Sequence, residues 1–129
     1  MKQSQEIAEA AQFQARMDST MEFKNSLLQS DTYWAVRRKL EAGERLDDVD
    51  RRVLRTWASN VVDMWENAHF QYQNGYLPED HWQGILREID TYVRFPEVID
   101  YWKQSELLHR DSFIQFMTPI MNGAETEIE

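Results

Sequence analysis

The sequence is short of the residues that build disulfides and tight turns: it has no cysteine, four glycines and three prolines among 129 residues. Without cysteine there is no disulfide, no thiolate metal ligand and no cysteine nucleophile. A β-sandwich or barrel needs turn residues at intervals of roughly ten residues, and glycine and proline are too scarce to supply them. The composition therefore predicts a chain that is mostly helical.

Long apolar runs are also missing. No stretch approaches the ~20 consecutive apolar residues of a membrane span, and the N-terminal segment lacks the apolar run of a signal peptide. We therefore expect no membrane span in this chain and a cytoplasmic location, which also fits the absence of cysteine.

Positive charge is in short supply, because 14 lysines and arginines face 23 aspartates and glutamates, a net charge of −9. Such a chain repels phosphate backbones, so we expect no nucleic-acid partner. Half of the basic residues lie between Arg37 and Arg55, but acidic residues alternate with them. This segment is typical of a solvated surface with ion pairs rather than of an anion-binding patch.

The length of the chain and its 42% hydrophobic content fit one globular domain. The most regular pattern in it is an apolar stripe at helical spacing. The stripe predicts a long central helix that begins after Asp47 as its N-cap and ends at Asn74-Gly75. Its members are Val49, Val53, Trp57, Val61, Trp65, Ala68 and Tyr72.

Further helices are predicted on both sides of this stripe. They cover residues 4–29, 32–42, 78–95 and 96–106, and a last short helix covers 113–120, with Pro119 and Gly123 marking its end. The short connections predict an all-α, antiparallel up-and-down bundle of four main helices plus one or two short C-terminal helices. Residues 1–30 would be an N-terminal helix able to project from the body, residues 31–121 the bundle core, and residues 122–129 an acidic frayed tail.

One chemical motif occurs twice: Glu-x-x-His joins Glu66 to His69 and Glu106 to His109. Residues three apart share a helix face, and in di-iron bundles two such motifs, with a glutamate from each of two further helices, hold the metals. Glu22 and Glu88 are the candidates for those further carboxylates. The alternative is a surface or capping role, because the second motif lies where a helix ends, and we favour it; no cofactor is predicted.

Aromatic residues concentrate between residues 57 and 82. The spacing of Trp57 and Trp65 on the stripe predicts that the tryptophans belong to the core. Phe70 and Tyr76 fall off the stripe, so they are the candidates for contact with a partner. No histidine has a serine or aspartate partner in a recognisable motif, and there is no glycine-rich phosphate loop, so the sequence predicts no catalytic residue.

The segment from Trp65 to Trp82, WENAHFQYQNGYLPEDHW, resembles a broad group of uncharacterised bacterial helical proteins. In that group a helix ends in Glu-aromatic-Gln-Tyr-x-x-Gly-x-Leu and an acidic turn leads into a helix that carries tryptophan. The similarity extends through Phe95-Pro96 and Tyr101-Trp102 to residues 113–116, and covers about residues 30 to 120. Many members look as if they carry an N-terminal membrane helix, absent here. The resemblance thus implies a membrane-associated sensor domain, but no catalytic residues.

These observations predict a non-enzymatic, small acidic helical module that acts in an accessory or regulatory role through a protein partner or self-association. A metal- or ligand-binding bundle that uses the two Glu-x-x-His motifs is the first alternative. A version of the membrane-associated sensor domain, attached through a missing N-terminal segment, is the second.

Overall fold

The computed structural model divides the chain into two units, Met1–Ser30 and Asp31–Glu129, and describes residues 30–128. The predicted helix 4–29, with Glu22, lies outside the described residues. The second unit contains no strand in its described part, which confirms the all-α prediction. Its helices are α1 (Asp31–Glu41), α2 (Asp48–Gln73), α3 (Glu79–Tyr92), α4 (Pro96–Ser105), a 3-10 turn (Glu106–Leu108) and α5 (Asp111–Ile128).

The long helix α2 begins and ends where the sequence predicts. The Asp47 side chain accepts a hydrogen bond from the Asp50 amide at 2.7 Å, and the Asp50 side chain accepts one from the Asp47 amide at 3.3 Å. This reciprocal capping satisfies two amides that the first turn leaves without a helical partner. At the other end Asn74 caps the helix and Gly75 takes a φ of +76°. Its 26 residues make a helix about 39 Å long.

Each of the other α-helices of the described chain packs against α2. The prediction that the tryptophans are core is confirmed for Trp57, Trp65, Trp82 and Trp102, all of which are buried. Trp34 is only partly buried.

The predicted stripe is wrong at its N-terminal end, where Val49 is 63% exposed. Steps of four residues rotate a stripe by about 40° each, so Val49 lies about 120° around the helix from Val61. Leu54 is buried near this end.

The packing of α1 and α4 on α2 brings one ion pair into the interior. Arg37 Nη1 lies 2.6 Å and 2.9 Å from the two carboxylate oxygens of Glu97, and these side chains are 11% and 4% exposed. The guanidinium also lies 3.9 Å from the ring centre of Phe95. Burial raises the pKa of Glu97 even though Arg37 acts in the opposite direction. The desolvation of this carboxylate therefore offsets much of its attraction to Arg37.

The end of the last helix corrects the sequence prediction, because α5 continues through Pro119 and Gly123 to Ile128. Proline removes the hydrogen bond to the Gln115 carbonyl, but both residues are exposed, so water can reach that carbonyl. A buried stripe continues along the helix on both sides of the proline and keeps it packed. Its members are Phe113, Met117, Met121 and Ala124. Residues 122–128, predicted as part of a frayed tail, thus belong to α5.

None of the helices in the described part of the chain combines the length and the apolar character needed to cross a bilayer.

The Arg37–Glu97 pair gives a testable prediction about stability. Arg37→Met leaves the Glu97 charge buried without its partner and is expected to lower the free energy of unfolding by ~3–5 kcal/mol. The double variant Arg37→Met/Glu97→Met removes both charges and is expected to return to within ~1 kcal/mol of the parent. Urea denaturation measures both, and a double variant as unstable as the single one would contradict the prediction.

Candidate functional site

Glu66 joins α2 to the C-terminal part of the chain through both of its carboxylate oxygens. Its Oε1 lies 3.2 Å from Nδ1 of His109, 43 residues further along the chain. Its Oε2 accepts a hydrogen bond from the backbone N–H of Arg110 at 2.8 Å. One carboxylate on the central helix therefore holds the two residues that follow the turn Glu106–Leu108, and fixes the path of the chain into α5.

The other side of the His109 ring is held from α4. Nε2 lies 3.1 Å from Ser105 Oγ, and the indole of Trp102 stacks on the imidazole with ring centres 5.3 Å apart and planes at 13°. The His109 side chain is 4% exposed. Contacts with α2 on one edge and α4 on the other leave the ring a single orientation.

The Ser105 hydroxyl can pair with either neutral tautomer of His109. It has one hydrogen and two acceptors within reach, the Tyr101 carbonyl at 2.8 Å and His109 Nε2 at 3.1 Å. When the hydroxyl donates to His109, Nδ1–H can donate to Glu66. When it donates to Tyr101, Nε2–H donates to the hydroxyl and Nδ1 presents a lone pair. Both arrangements use the same heavy-atom positions.

Asp63 completes a cluster of three potential metal ligands. It lies one turn before Glu66 on the same face of α2, and the Tyr101 hydroxyl donates to its Oδ1 at 3.4 Å. One ligand atom from each of Asp63, Glu66 and His109 lies within 4.8 Å of the other two. Asp63 is exposed as a residue, but partial desolvation of its carboxylate raises its pKa, while His109 acts to lower it. Two carboxylates and an imidazole suit zinc and other first-row transition metals.

The turn at this junction exposes two apolar side chains. Leu107 and Leu108 are 90% and 85% exposed. Arg110 lies two residues beyond Leu108, at most about 7.6 Å away between Cα atoms, and its guanidinium lies 3.9 Å from the ring centre of Phe70. Phe70 is 42% exposed on the last part of α2. The exposed leucines and Phe70 are thus linked through the segment that Glu66 holds.

The structure combines half of each predicted Glu-x-x-His motif. Glu66 of the first and His109 of the second are hydrogen-bonded, and Asp63 joins them. Neither His69 nor Glu106 belongs to the ligand cluster found in the described residues. The sequence search for Glu-x-x-His missed Asp63, whose signal was its position one helical turn before Glu66.

The remaining candidate residues have other surroundings. Glu106 is partly buried at the 3-10 turn, where its carbonyl accepts the His109 N–H at 3.3 Å. Glu88 is partly buried on α3. Tyr76 is 48% exposed beyond the end of α2, so it lies at the surface, as does Phe70.

His69 faces an aromatic interior. Its ring stacks on Phe116 with centres 4.7 Å apart, and the rings of Trp82 and Phe113 each lie 5.8 Å away. Only 6% of the residue is exposed. Burial lowers the pKa of His69, and the charge of Glu66 acts in the opposite direction. The neutral ring therefore functions as a core aromatic residue.

The order Ser105, His109, Glu66 is that of a serine-hydrolase triad. Ser105 is only 4% exposed, however, and its hydroxyl donates to the carbonyl of Tyr101, one turn earlier in α4. A nucleophile must reach a substrate carbonyl, and this hydroxyl does not. The hydrogen-bond chain orients the imidazole instead.

Comparisons of the chain with protein-family models, with curated proteins and with solved structures found no match.

The burial of His69 predicts a pH-dependent part of the stability. Because its pKa is lowered in the folded state, the unfolded chain takes up a proton first as the pH falls below the ordinary value of 6.5. Stability is then lost between that value and the lower folded pKa, with a slope of at most ~1.4 kcal/mol per pH unit. Urea denaturation between about pH 7 and about pH 5 should show a smaller loss for His69→Phe than for the parent.

The matched control is His81→Gln, since His81 lies on the exposed side of α3. It should lose stability with falling pH as steeply as the parent does. Equal slopes for His69→Phe and the parent would rule out His69 as the source.

Proposed function

We propose that this protein is a non-enzymatic binding module, and that it takes an apolar segment of a protein partner at the turn between α4 and α5. The observation that carries the proposal is the exposure of two adjacent leucines, Leu107 at 90% and Leu108 at 85%. Single exposed apolar residues are ordinary, but two adjacent leucines exposed to this extent form a larger apolar feature.

The way the turn is held supports this role. Glu66 bonds to His109 and Arg110 immediately after the leucines, and His109 is also held by Ser105 immediately before the turn. A turn fixed at both ends loses little conformational freedom when a partner binds, so more of the contact energy is available as affinity. The leucines are thereby presented on a preorganised support.

Phe70 and Arg110 extend the surface toward the end of α2. The guanidinium covers one part of the Phe70 ring and leaves 42% of the residue exposed. Aromatic and arginine side chains are enriched among the residues that dominate binding energy at interfaces. A partner that contacts Phe70 as well as the leucines would gain a second anchor.

The proposal includes the arrangement of the helices as a bundle. The links between the first four helices are short, at residues 42–47, 74–78 and 93–95, and this supports an antiparallel up-and-down bundle. A regulatory or accessory module of this kind, working in the cytoplasm with a partner protein or a second copy of itself, fits the acidic chain.

The double variant Leu107→Ser/Leu108→Ser tests the proposal. Burying a leucine is worth ~1.5–3 kcal/mol, so the variant should bind its partner at least ~10-fold more weakly. The tagged parent and the variant are used for affinity capture, each captured protein is purified, and its dissociation constant is measured. Sedimentation velocity of the two chains alone tests a second copy as the partner.

The control is Val49→Ser, because Val49 is a 63% exposed apolar residue in the first turn of α2. It should bind as the parent does. Equal affinity of the parent and the double leucine variant for every captured protein, with equal self-association, would contradict the proposal.

A further inference from the structure

We infer that Asp63, Glu66 and His109 form a site for one divalent transition-metal ion, with His109 Nδ1 as its nitrogen ligand. This inference is independent of the proposed partner surface, because it concerns the inner side of the junction and not the exposed leucines.

The spacing of the ligand atoms fits a single ion. Two adjacent ligands at ~2.0–2.2 Å from a tetrahedral or octahedral metal lie ~2.8–3.6 Å apart. His109 Nδ1 and Glu66 Oε1 are already 3.2 Å apart, and the Asp63 oxygen completes the set within 4.8 Å. Asp63 is an exposed residue whose hydrogen bond to Tyr101 is long at 3.4 Å. This exposed side chain is therefore free to rotate, and a metal ion would require it to move its oxygen closer to the other two ligand atoms.

Ser105 can support the tautomer of His109 that a metal requires. With its hydrogen donated to the Tyr101 carbonyl at 2.8 Å, Ser105 Oγ can only accept, so the His109 proton sits on Nε2. The Nδ1 lone pair then faces the Glu66 carboxylate. A metal ion bound at Nδ1 takes the place of the proton through which the ring, in the other arrangement, donates to Glu66 at 3.2 Å. A hydrogen bond on the far nitrogen is the usual support of a metal-bound histidine.

The residues of the candidate metal site are held by a long helix and by ring stacking. Asp63 and Glu66 project from the middle of the central helix, and Trp102 stacks on the His109 ring. Two carboxylates balance the charge of a divalent ion, and the imidazole favours zinc, copper or iron over calcium and magnesium. Three protein ligands with Asp63 at the surface leave further coordination positions open to solvent. The arrangement is a mononuclear site and not the dinuclear one that two Glu-x-x-His motifs build.

Titration of the chelator-treated full chain with Zn²⁺ in a calorimeter tests the inference, and Co²⁺ absorption reports the geometry. The parent should bind one equivalent, and the NMR signals of the His109 ring should shift with the same stoichiometry. Asp63→Asn keeps an acceptor for Tyr101 and should fold as the parent does, yet bind Zn²⁺ at least ~10-fold more weakly. Ser105→Ala should also weaken binding by ~10-fold, through the orientation of the ring.

Glu106→Gln is the matched control, because Glu106 belongs to the second motif but not to the cluster. Its affinity for Zn²⁺ should equal that of the parent. Absence of stoichiometric binding by the parent, or equal affinity of the parent and Asp63→Asn, would overturn the inference. Either result would leave the leucine surface untouched, since that surface is tested by separate variants.

Discussion

The fold depends on the burial of one face of α2. This helix contacts every other α-helix of the described chain, and its interior face carries the fully buried Trp65 together with Trp57, Val61 and Val62. Apolar burial has no direction of its own, so it brings the shorter helices to α2 without specifying their details. The details come from polar contacts at the margins: the capping of Asp47 and Asp50, the Arg37–Glu97 pair and the Glu66 hydrogen bonds.

Glu66 connects this support to the candidate site. It is the residue through which α2 determines where the turn between α4 and α5 lies. An ion between Glu66 Oε1 and His109 Nδ1 would replace only their direct hydrogen bond, because Oε2 keeps the Arg110 amide. Glu66 is thus part of the candidate metal site and also holds the residues that follow the exposed leucines.

The sequence predicts local features well where the cause is local. The start of α2 follows from aspartate caps and its end from Asn74-Gly75, both of which act within a few residues. It fails at Pro119, where a local helix breaker is outweighed by buried residues on both sides of it. It also fails at Val49, because a spacing of four residues slowly rotates away from the core face. Packing decides both cases.

The sequence by itself determined that the described chain is helical, that α2 is its longest helix, and that Trp57 and Trp65 face the interior. Periodicity and capping encode these properties in neighbouring residues. Only the tertiary structure decided that Glu66 meets His109 and not His69, which packs among aromatic rings instead. The reason is that two residues 43 positions apart meet through the packing of α4 and α5 on α2, and no local pattern records that packing.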